Sequence, residues 1–105
     1  DFDCPDIPNT VRDASAAAIM ASALIELSQF NPNDFGKQCL TFAEQQIRSL
    51  TSPAYLATTG TNANFAIMHC TGHLPGNSEV DVPLSYADYY YVEALLRLRN
   101  VLNKQ

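Results

Sequence analysis

The residues with the greatest chemical potential lie between His69 and Leu98, in HCTGHLPGNSEVDVPLSYADYYYVEALLRL. This stretch holds two histidines, the carboxylates Glu79, Asp81, Asp88 and Glu93, and the tyrosines Tyr86, Tyr89, Tyr90 and Tyr91. A few placed polar groups orient a ligand while rings supply contact area, so such a mixture suits a recognition surface. A loop that only caps a helix uses the same residue types, because most convergent polar groups are satisfied locally.

Paired acids would suggest general acid–base work. Glu79 and Asp81 alternate and would share one face of a strand, whereas Asp88 and Glu93, five apart, do not align on a helix. Ser85 and Asp88 instead fit a capping box, in which the serine and the acid three residues later satisfy orphan amide donors. His69 and His73, with Cys70 and Glu79, could be drawn as a metal site. Their spacing spans Gly72 and lacks a glutamate after the first histidine, so no metal ligand is assigned. Cys70 beside His69 is a poor nucleophile pair, since sequence neighbours on a strand point to opposite faces. His73 follows a glycine and precedes Leu74-Pro75-Gly76, where the backbone permits an exposed imidazole to face a cleft. The tyrosines cover more than half of a helix circumference, so at least one is expected to be only partly buried. Rings beside acids and amides line a sugar site; core aromatics whose hydroxyls reach backbone are the alternative.

These residues must be positioned by a single unit, for 105 residues allow at most one domain. An apolar fraction of 47% argues against disorder, and a net charge of −5 argues against nucleic acid, as do six basic residues that form no stripe. Cys4, Cys39 and Cys70 are odd in number and widely spaced, and are read as reduced, mostly buried thiols. No apolar run reaches the length of about 20 residues that a membrane span needs, so no membrane partner is expected. The chain opens on Asp1-Phe2-Asp3 without methionine and reads as cut from a longer protein.

The pattern predicts helices over about 13–30, 34–51 and 84–102. Asp1 to Val11, with its prolines, is extended or looped. Asp13 stands at an N-cap, and no charge follows it before Glu26; Ala14, Ala17, Ala18, Ala21 and Ser22 make one side small while Ile19, Leu24 and Leu27 make the other apolar. A helix of this kind is covered all round, and is expected to be the inner helix of a multi-helix assembly. The second helix, capped by Asp34, is amphipathic, with Phe35, Cys39, Phe42, Ala43, Ile47 and Leu50 on its buried stripe, and reads as an outer helix. Phe65 to Cys70 is either a buried turn of helix or a strand pairing with Glu79 to Val82 in one short β-hairpin. The third helix carries Tyr91, Leu95, Leu98 and Leu102 on its apolar face.

Two segments, RDASAAAIMASALIELS and GTNANFAIMHCTGHLPGNSEVDVPLSYADYYYVEALLRL, resemble the C-terminal portion of the unsaturated glucuronyl hydrolases, glycoside hydrolase family 88. The pieces that carry the likeness are Asp13 with Ser15, the Gly72-His73-x-Pro75 loop, Glu79-Val80-Asp81, and Tyr86-x-Asp88-Tyr89-Tyr90 running into Glu93-Ala94-Leu95. The resemblance implies an all-α chain, an inner and outer helix segment of an (α/α)6 toroid. It implies removal of an unsaturated uronic acid from lyase-generated oligosaccharides, by hydration of the ring double bond with an aspartate acid/base and water, and a bacterial cytoplasmic or periplasmic setting. No position here matches the catalytic aspartate motif, so no catalytic residue is assigned and the chain is expected to be inactive alone. His73, Glu79 and Tyr89 are the expected substrate contacts, and Asp13, Ser85 and Asp88 the structural caps. No cofactor is expected. The partners are the oligosaccharide, through a complete domain, and a missing N-terminal segment. The alternative is a self-associating helical binding or assembly module without catalysis.

Overall fold

The computed structural model describes residue 7 and residues 9–104; Cys4 and the opening Asp1-Phe2-Asp3 lie outside them. It contains three α-helices, α1 (Ala14–Phe30), α2 (Asp34–Thr51) and α3 (Ser85–Asn103), and no strand among the described residues. Helix α1 starts where Asp13 accepts the amide of Ser15 at 3.1 Å, satisfying a donor that has no partner within the helix. It ends at Asn31, before Pro32, which cannot continue a helix. Between these points Ala14, Ala18, Ala21 and Ile25 recur at alternating spacings of four and three, and all are buried. Ser15, Ser22 and Ser28 are buried beside them. With so little side chain on these faces, two neighbouring helices can approach closely and make many short dispersion contacts.

Helix α2 is capped by Asn33, whose side chain accepts from Gly36 N–H at 3.1 Å; Asp34, the expected cap, is its first helical residue. The buried stripe is Gly36, Cys39, Ala43, Ile47 and Leu50. Phe35 and Phe42 depart from expectation and are about half exposed, because the small residues rather than the rings face α1.

Helix α3 departs further. Leu84 occupies its N-cap with no side-chain hydrogen bond, so the capping box expected of Ser85 and Asp88 is not formed. Ser85 is exposed at the first helical position, and the Asp88 carboxylate is engaged by loop amides instead. The buried face is Ala87, Tyr91, Ala94 and Val101, with Leu98 half-buried. Leu95 and Leu102, expected on that face, are exposed: two of the four contact positions carry alanine, and the leucines lie to one side.

Two core clusters give the helix directions. One joins Ala14 and Ala18 of α1, Leu50 of α2, and Ala87 and Tyr91 of α3 with Ile67 and Cys70. The other joins Ala21 and Ile25, Ala43 and Ile47, and Ala94 and Val101. Thus α1 and α3 run parallel, α2 runs antiparallel to both, and α1 lies between them. These two neighbours leave the third side of α1 open: Ile19, Met20 and Leu27 are exposed, and Phe30 is 75% exposed. Val92, Leu95, Leu96 and Leu102 leave a second apolar flank on α3.

The α1–α2 turn tolerates no added bulk. A Cβ on Gly36 would run into the backbone carbonyl of Asn31, which cannot move without displacing the end of α1. Gly36→Ala is therefore expected to destabilise the fold by roughly 1–3 kcal/mol, as overpacking does, read as a lowered urea midpoint.

Candidate functional site

The segment between α2 and α3 sits at the end of the molecule where the N-termini of α1 and α3 converge. Its chain runs extended past Leu56, which bridges Ile67 antiparallel, and returns along itself through Cys70↔Val82 and His73↔Ser78. These single bridges replace the hairpin: Asn77, Glu79 and Asp81 all take φ near +50°, which breaks the regular pairing of a strand. Glu79 and Asp81 therefore share no strand face. Asn62, Ala63, Asn64 and His69 also have positive φ. Such conformations persist only where the surroundings over-determine them.

Two carboxylates supply that determination. Asp88 of α3 accepts from Ala66 N–H at 2.8 Å through Oδ2 and from Ile67 N–H at 3.0 Å through Oδ1. Asp13, besides capping α1 and accepting the Ser15 hydroxyl, accepts from Thr71 N–H at 3.1 Å. Ala14 N–H donates to the His69 carbonyl at 3.0 Å, and the Thr71 hydroxyl to the Arg12 carbonyl at 2.8 Å.

Thus bracketed, His69 pairs its Nδ1 with Asp81 at 2.6 Å and meets the Tyr55 ring edge-on. Arg12 donates to the Tyr55 hydroxyl at 3.2 Å and lies 5.9 Å from that ring's centre. An opening of about 320 Å³ is lined by Asn9, Thr10, Val11, Arg12, His69 and Asp81. It offers a cation, an oriented imidazole and a carboxylate side by side.

The expected contact residues fall in two places. His73 and Glu79 share the exposed turn 72–79: Gly72 N–H donates to the Glu79 carbonyl at 2.7 Å, and the Glu79 side chain lies over Gly72. The His73 ring folds onto Gly76, where a Cβ would strike it, and stays exposed on this turn. Tyr89 is elsewhere, in a groove of about 340 Å³ between α1 and α3 that is also lined by Ser22, Glu26, Tyr90, Glu93 and Arg97. There the Ser22 hydroxyl donates to Glu93 at 2.5 Å, and Arg97 spans Glu26 at 3.1 Å and Glu93 at 3.5 Å. The Ser22 hydrogen bond holds the Glu93 carboxyl below its ordinary value. Tyr89 shares a hydrogen bond with that carboxylate, and its phenol is raised in consequence. Tyr91 is buried and bonded to the Thr51 hydroxyl at 2.8 Å, the core alternative for a tyrosine.

Cys70 is fully buried, and burial, followed by the Asp13 charge, pushes its thiol up, so it stays protonated. Cys39 is likewise a buried free thiol. Among the described residues no three His, Cys, Asp or Glu side chains gather as a metal site, and no helix is long and apolar enough to cross a membrane. Arg12, Tyr55 and the His69–Asp81 pair carried no sequence signal, because each acquires meaning only from contacts across the loop.

No family model matches the chain. An unsaturated glucuronyl hydrolase from Formosa agariphila is 46% identical over 104 residues, 99% of this chain. The crystal structure of an unsaturated glucuronyl hydrolase specific for heparin, 45% identical, matches 97% of this chain with a TM-score of 0.90. The chain is similar in sequence and in fold to the unsaturated glucuronyl hydrolases. A second hydrolase of this kind, from Bacillus sp. strain GL1, is 34% identical over 93% of the chain. The solved structure of the Bacillus sp. GL1 enzyme, described as responsible for the degradation of glycosaminoglycan, matches with a TM-score of 0.82 at 31% identity. The chain spans about a quarter of these relatives: 25% of the Formosa protein, 26% of the Bacillus protein and 27% of each solved chain. It matches a C-terminal portion of the hydrolases, and its three helices follow their helical toroid. The charge-poor α1 beside the amphipathic, antiparallel α2 fits the inner and outer helix pair expected from the sequence.

Glu93 gives this segment a pH signature. Its folded pKa lies below the ordinary 4.5, so the unfolded chain binds the proton more readily. The stability it confers is present above that value and is lost as pH falls through the lower, folded one. Urea midpoints measured down that range should fall for the native sequence, and fall less for Glu93→Gln.

Proposed function

We propose that this chain is one arc of a hydrolase domain that removes an unsaturated uronic acid from the non-reducing end of lyase-generated oligosaccharides. The observation that carries the reading is identity of 46% sustained over 104 residues, together with a shared fold at a TM-score of 0.90. A further neighbour, 30% identical with a TM-score of 0.82, is a complex with dGlcA-Glc-Rha-Glc, which fits a sugar ligand of this class. In this reading the turn 72–79 forms part of the pocket mouth, where His73 and Glu79 offer a donor and an acceptor to sugar hydroxyls. Tyr89, 62% exposed on α3, offers a ring edge and a hydroxyl. The aspartate that would protonate the ring double bond, and its water, belong to the remainder of the domain. The open apolar flanks, Met20, Leu27 and Phe30 on one side and Val92, Leu96 and Leu102 on the other, are faces for that remainder.

The same exposed flanks favour a second reading, in which copies of this chain cover one another. Sedimentation at low concentration separates the two, for a folded monomer argues against self-association.

Incubated alone with an unsaturated disaccharide, the chain is expected to leave the absorbance of the conjugated uronate unchanged. Appreciable turnover would contradict the placement of the catalytic aspartate outside it.

A further inference from the structure

We infer that Asp13 and Asp88 are positioning residues that together set the orientation of the 65–82 loop against the sugar. The inference rests on the reading above that this loop forms part of the pocket mouth. Neither carboxylate lines the turn that carries His73 and Glu79, yet the loop's backbone is fixed by both. Asp88 uses both oxygens, one on each of two successive amides, Ala66 at 2.8 Å and Ile67 at 3.0 Å. Ile67 is fully buried, so its amide has no water to fall back on once the carboxylate is gone. Asp13 holds Thr71 N–H at 3.1 Å while it caps α1, which ties the loop to the start of that helix.

Between these anchors lie His69 and Cys70. His69 is held at a φ of +65°, a left-handed conformation that a non-glycine residue does not adopt unaided. The carbonyl of His69 is taken by Ala14 N–H at 3.0 Å and its Nδ1 by Asp81 at 2.6 Å. The strain of a left-handed residue is thus enclosed by one carboxylate at the N-cap of α1 and one in the first turn of α3. Beyond Thr71 the chain passes directly into Gly72 and the turn, whose backbone hydrogen bonds among the described residues stay within the same loop: Gly72 N–H with the Glu79 carbonyl, His73 with Ser78, and Asn77 N–H with the Leu74 carbonyl. The turn's place relative to α1 and α3 is therefore inherited from the two carboxylate anchors together with the bonds of Ala14 N–H to the His69 carbonyl and of the Thr71 hydroxyl to the Arg12 carbonyl. The partner at the Asp88 anchor must be a carboxylate: its two oxygens each accept from a separate amide, whereas an asparagine there would aim its NH₂ at one of the two N–H groups. At the Asp13 anchor one oxygen, Oδ1, accepts every bond, so what the anchor requires is that acceptor.

The test uses the protein carrying the complete domain, with two readouts on Asp88→Asn and Asp13→Ala, the latter removing the single acceptor oxygen. Amide hydrogen exchange is expected to accelerate by about tenfold at Ala66 and Ile67 in the first variant and at Thr71 in the second. In both, KM for an unsaturated disaccharide rises about tenfold while kcat changes by less than about threefold, the split produced by lost positioning of a binding wall. Asp88→Glu, which keeps two acceptor oxygens, is expected to recover part of the protection and part of the KM. Unchanged exchange at these amides overturns the clamp itself. Faster exchange with an unchanged KM leaves the clamp standing but overturns its role toward the sugar, and with it the reading of the loop as pocket mouth. A fall in kcat and stability together, with KM unmoved, marks a general structural role and also overturns the proposal. Should Asp88→Asn not fold, Asp88→Glu and Asp13→Ala carry the same two readouts.

Discussion

Ala14, Ala18, Ala21 and Ser22 leave so little side chain on two faces of α1 that its backbone is nearly bare there, and the rest of the chain depends on that. Ala43 of α2 and Ala87 and Ala94 of α3 answer it with small residues of their own, all fully buried. Close approach multiplies weak dispersion contacts, so the three helices cohere through backbone proximity rather than through large interlocking side chains. The shared core clusters set α3 parallel and α2 antiparallel to α1. Because α1 and α3 are parallel, both N-termini reach the same end of the molecule. Each carries an acid in or beside its first turn, where the helix dipole favours a negative charge.

That convergence explains the loop. A chain of more than thirty residues between α2 and α3 has only the short 3₁₀ turn Asn62–Asn64 as regular structure among the described residues, and it has seven non-glycine positions with positive φ there. What it has instead is Asp88 on one side and Asp13 on the other. The helices thus act on the loop through two carboxylates, and the loop presents its histidines and acids accordingly. Glu93, Ser22, Arg97 and Glu26 form a separate polar tie along the shaft of the same helix pair, away from the loop.

The helices were legible because their signals are local: Asp13 before an alanine-rich run, Asn31-Pro32-Asn33 between α1 and α2, and Ser52-Pro53 after α2. Their inner and outer characters could be read as well, since α1 lacks charge over most of its length and α2 is amphipathic. The buried face of α3 was misread because leucines are the louder signal, while the contact with a small-residue helix selects Ala87 and Ala94. The N-cap of α3 was misread for a related reason. Ser85 and Asp88 have the spacing of a capping box, but two loop amides at residues 66 and 67 compete for the acid and win. That competition spans more than twenty residues of sequence and leaves no periodicity to find. The His69–Asp81 pair, twelve residues apart, was hidden in the same way. His73, Glu79 and Tyr89 were singled out by residue type alone, and their division between a turn and a groove is set by the loop's tertiary bonds.

The central claim is that the 65–82 loop is a wall of the sugar pocket, held there by the starts of α1 and α3. It is tested most directly by a crystal structure of the complete domain with an unsaturated disaccharide bound. The account predicts the terminal uronate or its neighbour within hydrogen-bonding distance of His73 or Glu79, with the Asp88 and Asp13 bonds to the loop amides intact. A sugar bound in the domain with no atom of residues 65–82 in contact with it would contradict the account.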